Sequence, residues 1–288
     1  MPHLAAIGNA LDFVEANLRE DITIADMADA AGYSLYHFCR MFNRFVHHTP
    51  YDYLMRRRLA ESARDMVETD RLIVDIAFDY CFNSPETYSR AFRRMFGVQP
   101  SRWKERGRLD ERFLMSPVTR EHLAYINKGD GLRPALEERD AFLLAGVMGL
   151  VQNDRQIVPY LWDILLAELA RVEGMHASRT FYGLTWYPDG WEARGTLYMA
   201  SVMVDSPDVA GSALVAKRIP PARYARFTHK GRRAELALTR DYIYQTWLPK
   251  SGENLAYPLE LECYGQQAGA GDGRASEWAI LVPVRRTV

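Results

Sequence analysis

The sequence predicts a two-domain protein with an all-α N-terminal domain and an α+β C-terminal domain. In the first hundred or so residues, apolar positions recur at steps of three and four, as they do on the buried stripe of an amphipathic helix. Farther along, short runs such as "TLYMASVMV" and "WAILVPV" are rich in residues that favour strands. A chain of 288 residues with 48% hydrophobic content can form a core in each domain.

The change of pattern sets the predicted boundaries. Residues 1–108 form the helical domain, residues 109–120 form a charged linker, and residues 121–288 form the α+β domain. A faint internal repeat of roughly eighty residues predicts that this second domain is a duplicated strand-helix-strand-strand unit. The run "AFLLAGVMG" precedes the helix "VPYLWDILLAEL" in the first copy, as "ARYARFTHKG" precedes "TRDYIYQTWL" in the second.

Composition excludes several classes of protein. The cysteines Cys39, Cys81 and Cys263 are odd in number and far apart, which indicates a reducing compartment rather than a disulfide framework. The first residues lack the basic start of a secretory signal, and the longest apolar run is too short to span a bilayer as a helix. We therefore expect a cytoplasmic protein with no cofactor and no membrane partner.

Charge is placed unevenly along the N-terminal domain. The formal net charge of −1 does not itself favour a nucleic-acid partner. Residues 88–108, however, carry a single acid, Glu105, against these basic residues: Arg90, Arg93, Arg94, Arg102, Lys104, Arg106 and Arg108. A domain with one basic face can bind a polyanion locally even when its net charge is near zero.

Residues 21–45 have the pattern of two helices joined by a short turn. Thr23 is a predicted N-cap with Asp26 three residues on, and Gly32 ends this first helix. Ser34 is the predicted cap of a second helix, on which one face is apolar: Phe38, Met41, Phe42 and Phe45. The remaining face carries Tyr36, His37, Arg40, Asn43 and Arg44, with Cys39 at its edge. Together these features predict a helix-turn-helix unit.

The same pattern recurs fifty residues later in "VDIAFDYCFNSPETYSRAFRRMF". Ser84 is the predicted cap of its second helix, and Pro85 occupies the first helical position. The residues left to face outward or to flank the apolar stripe are Glu86, Thr87, Ser89, Arg90, Arg93 and Arg94. Two units in register, each with an arginine-bearing second helix, predict an interface with double-stranded DNA. Arg44, Arg56, Arg57, Arg93 and Arg94 are the predicted phosphate contacts.

The second unit and its tail, "AFDYCFNSPETYSRAFRRMFGVQPSRWK", resemble the signature of the AraC/XylS family of transcription regulators. The resemblance covers residues 5 to 106 and implies two recognition helices in successive major grooves. It places Tyr36, Cys39 and Arg40, and likewise Glu86, Thr87 and Arg90, nearest the base edges. Cys81 departs from the family pattern, which has glycine at this turn, and is expected to strain or tilt the second unit.

The residues of the first predicted helix-turn-helix unit and those just after it allow other interpretations. His37, Cys39, His47 and His48 could supply zinc ligands, but no CxxC or HxxxH spacing supports a tetrahedral site, so we predict no metal. Cys39 is either a reactive thiol beside Arg40 or a half-buried filler, and the second is favoured. The arginines are either a solvated face or phosphate contacts.

The C-terminal stretch containing "FTHKG", "WLPKSG" and "LECY" resembles the GyrI-like effector-binding domain, and the whole architecture resembles Rob-type regulators. The resemblance covers residues 115 to 286 and implies an aromatic pocket for lipophilic, cationic or amphiphilic compounds, with a glutamate at Glu262. Strand alternation puts Glu260, Glu262 and Tyr264 on one face; we expect Glu260 to face water. The predicted ligand-binding residues are Glu262, Trp186, Tyr187, Tyr160, Tyr198 and Tyr264.

Three functions remain open. The first, which we favour, is a ligand-responsive transcription regulator that binds DNA and a small-molecule effector and contacts RNA polymerase. In the second, Glu262 acts as the base of a small-molecule hydrolase, although no catalytic motif supports an enzyme. In the third, the protein binds DNA constitutively and its C-terminal domain only docks a partner.

Overall fold

A computed structural model describes residues 2–128, 132–152, 156–171, 180–206, 213–232, 235–265 and 277–286, with only the backbone of residues 193, 230 and 277. The chain divides into two compact units. Unit 1 contains residues 1–131 and 240–249, and unit 2 contains residues 132–239 and 250–288. In the described part of the chain, no helix is long and apolar enough to cross a membrane.

Unit 1 is built from helices, as the periodicity predicts. Its elements are α1 (Pro2–Ala16), α2 (Ile24–Ala30), α3 (Leu35–Val46), α4 (Pro50–Glu68), α5 (Ile73–Asp79), α6 (Pro85–Phe96), α7 (Pro100–Arg106) and α8 (Arg120–Ile126). Thr23 and Asp26 form the expected capping box at the start of α2. The hydroxyl of Ser84 accepts a hydrogen bond from the Thr87 amide at 3.2 Å, whereas the Ser34 side chain makes no capping bond.

The turns that precede α3 and α6 have matching backbones. Gly32 has a φ of 68°, and Cys81 has a φ of 61° at the corresponding point. The amide of Gly32 donates to the Asp29 carbonyl, and that of Cys81 to the Phe78 carbonyl, each at 2.9 Å. Cys81 therefore adopts the left-handed conformation that glycine adopts in the first turn. For a residue with a Cβ this conformation costs about 1–2 kcal/mol.

We expect Cys81→Gly to stabilise the protein by about 0.5–1 kcal/mol, because the relief of strain exceeds the added freedom of the unfolded chain. Thermal or urea unfolding measures the change. The matched control is Gly32→Ala, which meets no atom within 4 Å and should destabilise through backbone strain alone. A loss of stability in Cys81→Gly would mean that the thiol, which lies 3.3 Å from the Arg19 carbonyl, contributes more than the strain costs.

The predicted linker is part of the core of unit 1. Leu114, Met115 and Val118 are buried there, and the Val118 amide donates to the Tyr53 hydroxyl at 3.2 Å. The structure therefore corrects the predicted boundary: residues 109–120 and helix α8 belong to the N-terminal unit. The charges in "RLDERFLMSP" suggested a solvated segment, but Leu109, Leu114 and Met115 pack in the core of unit 1, and the burial of their apolar surface outweighs the charges.

His122 on α8 makes the stability of the protein depend on pH. Burial lowers the pKa of its imidazole to about 4, and its Nε2 has no hydrogen-bond partner among the described residues. The unfolded chain therefore binds a proton near pH 6.5 that the folded chain takes up only near pH 4. The contribution of the neutral His122 imidazole to the free energy of unfolding is fully present above pH 6.5. As the pH falls to about 4, the free energy of unfolding should decrease by up to about 3 kcal/mol. In His122→Phe, urea unfolding across this range should show a pH dependence that is smaller by that amount.

Residues 240–249 join unit 1 although they lie within the predicted C-terminal domain. They contain the end of α11 (Leu236–Asp241), a π-helical stretch (Tyr242–Trp247) and the start of α12 (Leu248–Ser251). The Gln245 side chain accepts a hydrogen bond from the Ser116 amide at 2.9 Å. The Thr246 hydroxyl lies 3.2 Å from Nε2 of the buried His48.

Unit 2 is organised around one antiparallel sheet. Its strands are β1 (Ala135–Arg139), β2 (Phe142–Val151), β3 (Phe181–Trp186), β4 (Thr196–Val204), β5 (Val215–Ile219), β6 (Ala222–Lys230), β7 (Glu253–Leu255), β8 (Leu259–Gly265) and β9 (Glu277–Arg286). They lie in the order β1-β6-β9-β8-β3-β4-β2-β5, and β7 also pairs with β9. Helix α9 (Ile157–Arg171) follows β2, and the short α10 (Trp191–Arg194) follows β3.

The two faces of this sheet carry separate apolar clusters. Helix α9 packs on one face, where Trp162 and Leu165 meet residues of β2 and β4 such as Ala145 and Tyr198. The opposite face carries Leu184, Leu261 and other residues of the central strands. Strand register therefore decides which side chains share the α9 face.

Candidate functional sites

Helix α3 presents an exposed polar surface on unit 1. Phe38, Met41 and Phe42 are buried, and this anchors the helix by its apolar stripe. The side chains of Tyr36, Arg40, Asn43 and Arg44 are exposed, and Tyr36 is 75% exposed. The Arg40 guanidinium lies 5.8 Å from the centroid of the Tyr36 ring, so the two side chains project together.

His37 and Cys39 are less accessible than the other predicted contacts on α3. Both are half-buried. The His37 ring meets the Tyr33 ring edge-on with centroids 4.6 Å apart. His48, considered above as a zinc ligand, is fully buried, and its Nδ1 lies 2.6 Å from Asp52.

Helix α6 presents a similar surface with more positive charge. Tyr88, Ala91 and Phe92 are buried. The exposed residues are Glu86, Thr87, Arg90, Arg93 and Arg94, and Ser89 is half-buried. Hydrogen bonds from its own backbone amide and from Ser84, with the nearby charge of Arg90, lower the pKa of Glu86. Glu86 is therefore an ionised acceptor at the start of a basic helix.

Two arginines predicted as phosphate contacts are engaged in ion pairs instead. Arg57 is only 2% exposed and pairs with Glu15 at 2.7 Å and with Glu61 at 2.9 Å. Arg56 is half-buried and pairs with Asp52 at 3.0 Å. The prediction for Arg57 is wrong because α4 turns this side chain towards α1 rather than towards solvent. Other basic side chains on α7 and just after it are exposed and can contact phosphate: Arg102, Arg106 and Arg108.

In unit 2, Glu262 lies on β8 with its carboxylate buried among aromatic side chains. It is 2% exposed. The Tyr198 hydroxyl donates to Glu262 Oε2 at 3.1 Å, and the Tyr264 hydroxyl donates to the same oxygen. The Trp162 indole nitrogen donates in turn to the Tyr198 hydroxyl at 3.1 Å. This chain of hydrogen bonds orients a carboxylate away from bulk water.

Aromatic rings surround the carboxylate. The Tyr264 ring meets the Trp162 ring edge-on at a centroid distance of 5.2 Å and the Trp278 ring at 5.3 Å. The His229 ring stacks on Trp278 with centroids 5.6 Å apart. A carboxylate enclosed by ring faces and edges attracts cations through its charge and through the ring quadrupoles. We call Glu262, Tyr198, Tyr264, Trp162 and Trp278 the glutamate cluster.

Gly183 gives the glutamate cluster room against the sheet. It pairs with Glu262 across the β3–β8 register. A Cβ at this position would lie 2.2 Å from the Tyr198 hydroxyl and 2.8 Å from Glu262 Oε2. Any side chain here would displace one of these two groups, so the hydrogen bond between them requires glycine.

The structure brings three of the six predicted ligand residues together. Glu262, Tyr198 and Tyr264 share the α9 face. Trp186 lies on the opposite face, where its ring centroid is 4.1 Å from the Lys217 ammonium nitrogen. Since β3 alternates, Trp186 and Gly183 point to opposite sides of the sheet, and the prediction that Trp186 lines the same wall is wrong.

The other two predicted wall residues also lie outside the glutamate cluster. Tyr187 is buried beyond the end of β3 and packs edge-on against Trp191 at 5.1 Å. Tyr160 is 66% exposed on the outer face of α9. Trp162, two residues on, faces the sheet. The spacing of the buried residues on α9, Val158, Leu161, Trp162, Leu165 and Leu169, contains the signal that separates Trp162 from Tyr160.

The sequence led us to expect that Glu260 faces water, and this prediction is wrong. Glu260 is fully buried and pairs with Thr185 across β3–β8. Since Glu260 and Glu262 are two residues apart on one strand, they lie on the same face of the sheet.

Comparisons with known proteins match two parts of the chain to two different families. Residues 27–106 match the family described as Helix-turn-helix domain, and residues 133–285 match the GyrI-like small molecule binding domain. The regulatory protein SoxS of Escherichia coli (strain K12) is 35% identical over 106 residues, which cover 37% of this chain and 99% of SoxS. The chain belongs to the AraC family of DNA-binding transcription regulators and carries a GyrI-like domain.

Other relatives of this AraC-family regulator match it over its N-terminal part. The probable transcription factor PqrA of Proteus vulgaris is 35% identical over 107 residues, 36% of this chain and 88% of PqrA. The regulator YbfP of Bacillus subtilis is 32% identical over 99 residues, so that the match spans 34% of each chain.

Solved structures are similar to each part separately. An AraC-type regulator from Chromobacterium violaceum covers 36% of this chain and is itself 92% covered, with 24% identity and a TM-score of 0.35. The C-terminal domain of EcmrR covers 54% of this chain and is 99% covered, with 16% identity and a TM-score of 0.44.

Proposed function

We propose that this AraC-family regulator reads DNA with α3 and α6, each acting as the second helix of a helix-turn-helix unit. The matched turns before the two helices and their exposed polar faces support this. The proposed contacts are Tyr36, His37, Cys39, Arg40, Asn43, Arg44, Glu86, Thr87, Ser89, Arg90, Arg93 and Arg94. The half-buried members of this set, His37, Cys39 and Ser89, have less reach than the arginines.

Arg40 is the proposed base-reading residue of α3. An arginine that bonds guanine O6 and N7 contributes about 1–3 kcal/mol of discrimination against the wrong base. Arg40→Ala should therefore relax preference at one position of the site while non-specific affinity stays nearly unchanged. Binding to a panel of single-base variants of a selected site measures this. Arg44→Ala, one turn farther along, is the control and should weaken all sequences alike. The same uniform loss in Arg40→Ala would make Arg40 a phosphate contact.

We further propose that the effector is a lipophilic cation bound at the glutamate cluster. The observation that carries this proposal is the Glu262 carboxylate, which is 2% exposed and accepts hydrogen bonds from the Tyr198 and Tyr264 hydroxyls among aromatic rings. Burial of a carboxylate among rings disfavours its charge unless a cation or hydrogen-bond donors compensate. A cationic aromatic ligand supplies both the charge and the ring surface.

The order of strands in unit 2 supports a duplicated unit. The elements β2, α9, β3 and β4 are followed later by β6, α11, β8 and β9, and the third strand of each set lies between the other two in the sheet. The two sets meet where β3 pairs with β8, which is where Gly183 and Glu262 lie. We infer that the effector site is at the junction of the two copies.

Transcription from a promoter that carries the recovered site tests the regulator as a whole. Sequencing the DNA that the protein retains identifies the site. A cationic ligand should then change transcription by RNA polymerase in the presence of the wild-type protein. Unchanged transcription, with ligand bound and DNA bound, would favour the constitutive alternative. Release of a product from excess ligand would favour the hydrolase.

A further inference from the structure

The α9 face of the sheet carries a second acidic position beside the glutamate cluster. Glu260 is fully buried, and it precedes Glu262 by two residues on β8. Positions two apart on a strand are separated by about 6.8 Å along the strand direction. The same face therefore holds two buried carboxylates at a spacing that one small molecule can bridge.

Thr185 points to a ligand at this second position. It pairs with Glu260 on one side and with Tyr198 on the other, so its side chain shares their face. It is 3% exposed, and its hydroxyl has no hydrogen-bond partner among the described residues. A buried hydroxyl without a partner costs about 1–3 kcal/mol, which a bound donor or acceptor would recover.

We propose that Glu260 and Thr185 form a second anchor for the effector, which takes a primary ammonium or amidinium group. This inference rests on the proposed cation site at Glu262 and extends it. An N–H-bearing cation fits both partners: one N–H bonds the Glu260 carboxylate, and a second bonds the Thr185 hydroxyl. The preferred effector is then a rigid molecule with two cationic ends, one at Glu262 and the other at Glu260.

Two simple amines test the second anchor on the full-length protein. Benzylamine carries one ammonium on an aromatic ring, and 1,4-bis(aminomethyl)benzene carries a second at the opposite end of the same ring. Calorimetric titration of the wild-type protein should show that the diamine binds at least about tenfold more tightly, because its second end binds intramolecularly. A gain of only about twofold, which two equivalent ends give by statistics alone, would overturn the proposal.

Three substitutions identify which residues supply the gain. Glu260→Gln should remove it and leave benzylamine binding unchanged. Thr185→Val keeps the shape of the side chain without its hydroxyl and should reduce diamine affinity several-fold, again with no effect on benzylamine. Glu262→Gln should weaken both amines. Thermal unfolding of each variant checks that the fold is kept, and the comparison of amines on the wild-type protein needs no variant.

The failure of the second anchor is distinguishable from the failure of the proposed function. If both amines bind equally and Glu262→Gln weakens both, the cation site stands and the second anchor falls. If neither amine binds the wild-type protein, both proposals fall. If the diamine gain persists in Glu260→Gln and in Thr185→Val, another group holds the second end and the assignment is wrong.

Discussion

Glu262→Gln should lower the affinity for cationic aromatic ligands by an order of magnitude or more. The substitution keeps the size of the side chain, and its amide oxygen can still accept from Tyr198 and Tyr264. It removes the negative charge, so that only the rings remain to attract a cation. A tenfold loss corresponds to about 1.4 kcal/mol, which is modest for a charge pair out of water.

Titration with a fluorescent cationic dye measures this effect. Glu138→Gln is the matched control, because it removes the same charge from an exposed position on β1 and should leave dye affinity unchanged. DNA affinity should be unchanged in both variants, since both residues belong to unit 2. The hydrolase alternative predicts retained dye binding with loss of turnover. If Glu262→Gln binds as tightly as the wild type and neither protein turns ligand over, the cation site is not at Glu262.

DNA affinity should fall about a thousandfold between 50 mM and 200 mM salt, because the logarithm of affinity changes with that of salt at a slope near −5. This slope corresponds to about six phosphate contacts. The exposed arginines that can supply them are Arg44, Arg93, Arg94, Arg102, Arg106 and Arg108. Arg57 is not among them, because its guanidinium is buried against Glu15 and Glu61.

Fluorescence anisotropy with a labelled duplex at several salt concentrations gives the slope. Arg93→Ala should make it shallower by about one unit. Arg218→Ala, which removes an exposed arginine from β5 in unit 2, should leave it unchanged. A slope near zero in the wild-type protein would contradict phosphate contact by this surface.

Local patterns in the sequence were sufficient to predict much of unit 1 and the common face of Glu262 and Tyr264, whereas the assignment of Glu262 to a pocket came from the resemblance to the GyrI-like domain. The capping box at Thr23, the proline at the start of α6 and the apolar stripe of α3 involve residues within a few positions of one another, so the chain itself carries these signals. The common face of Glu262 and Tyr264 follows from alternation along a single strand in the same way.

Only the tertiary structure decided which surfaces these patterns meet. Periodicity assigns a residue to a face but does not say what covers that face. Arg57 is buried because α1 supplies Glu15, and residues 109–120 pack because the helices of unit 1 form an apolar core that includes Leu114, Met115 and Val118. Glu260 was misplaced because alternation gives its face but not the burial of that face. Trp186 was misplaced because the register between β3 and β8 joins residues more than seventy positions apart, and no local pattern in either strand records it.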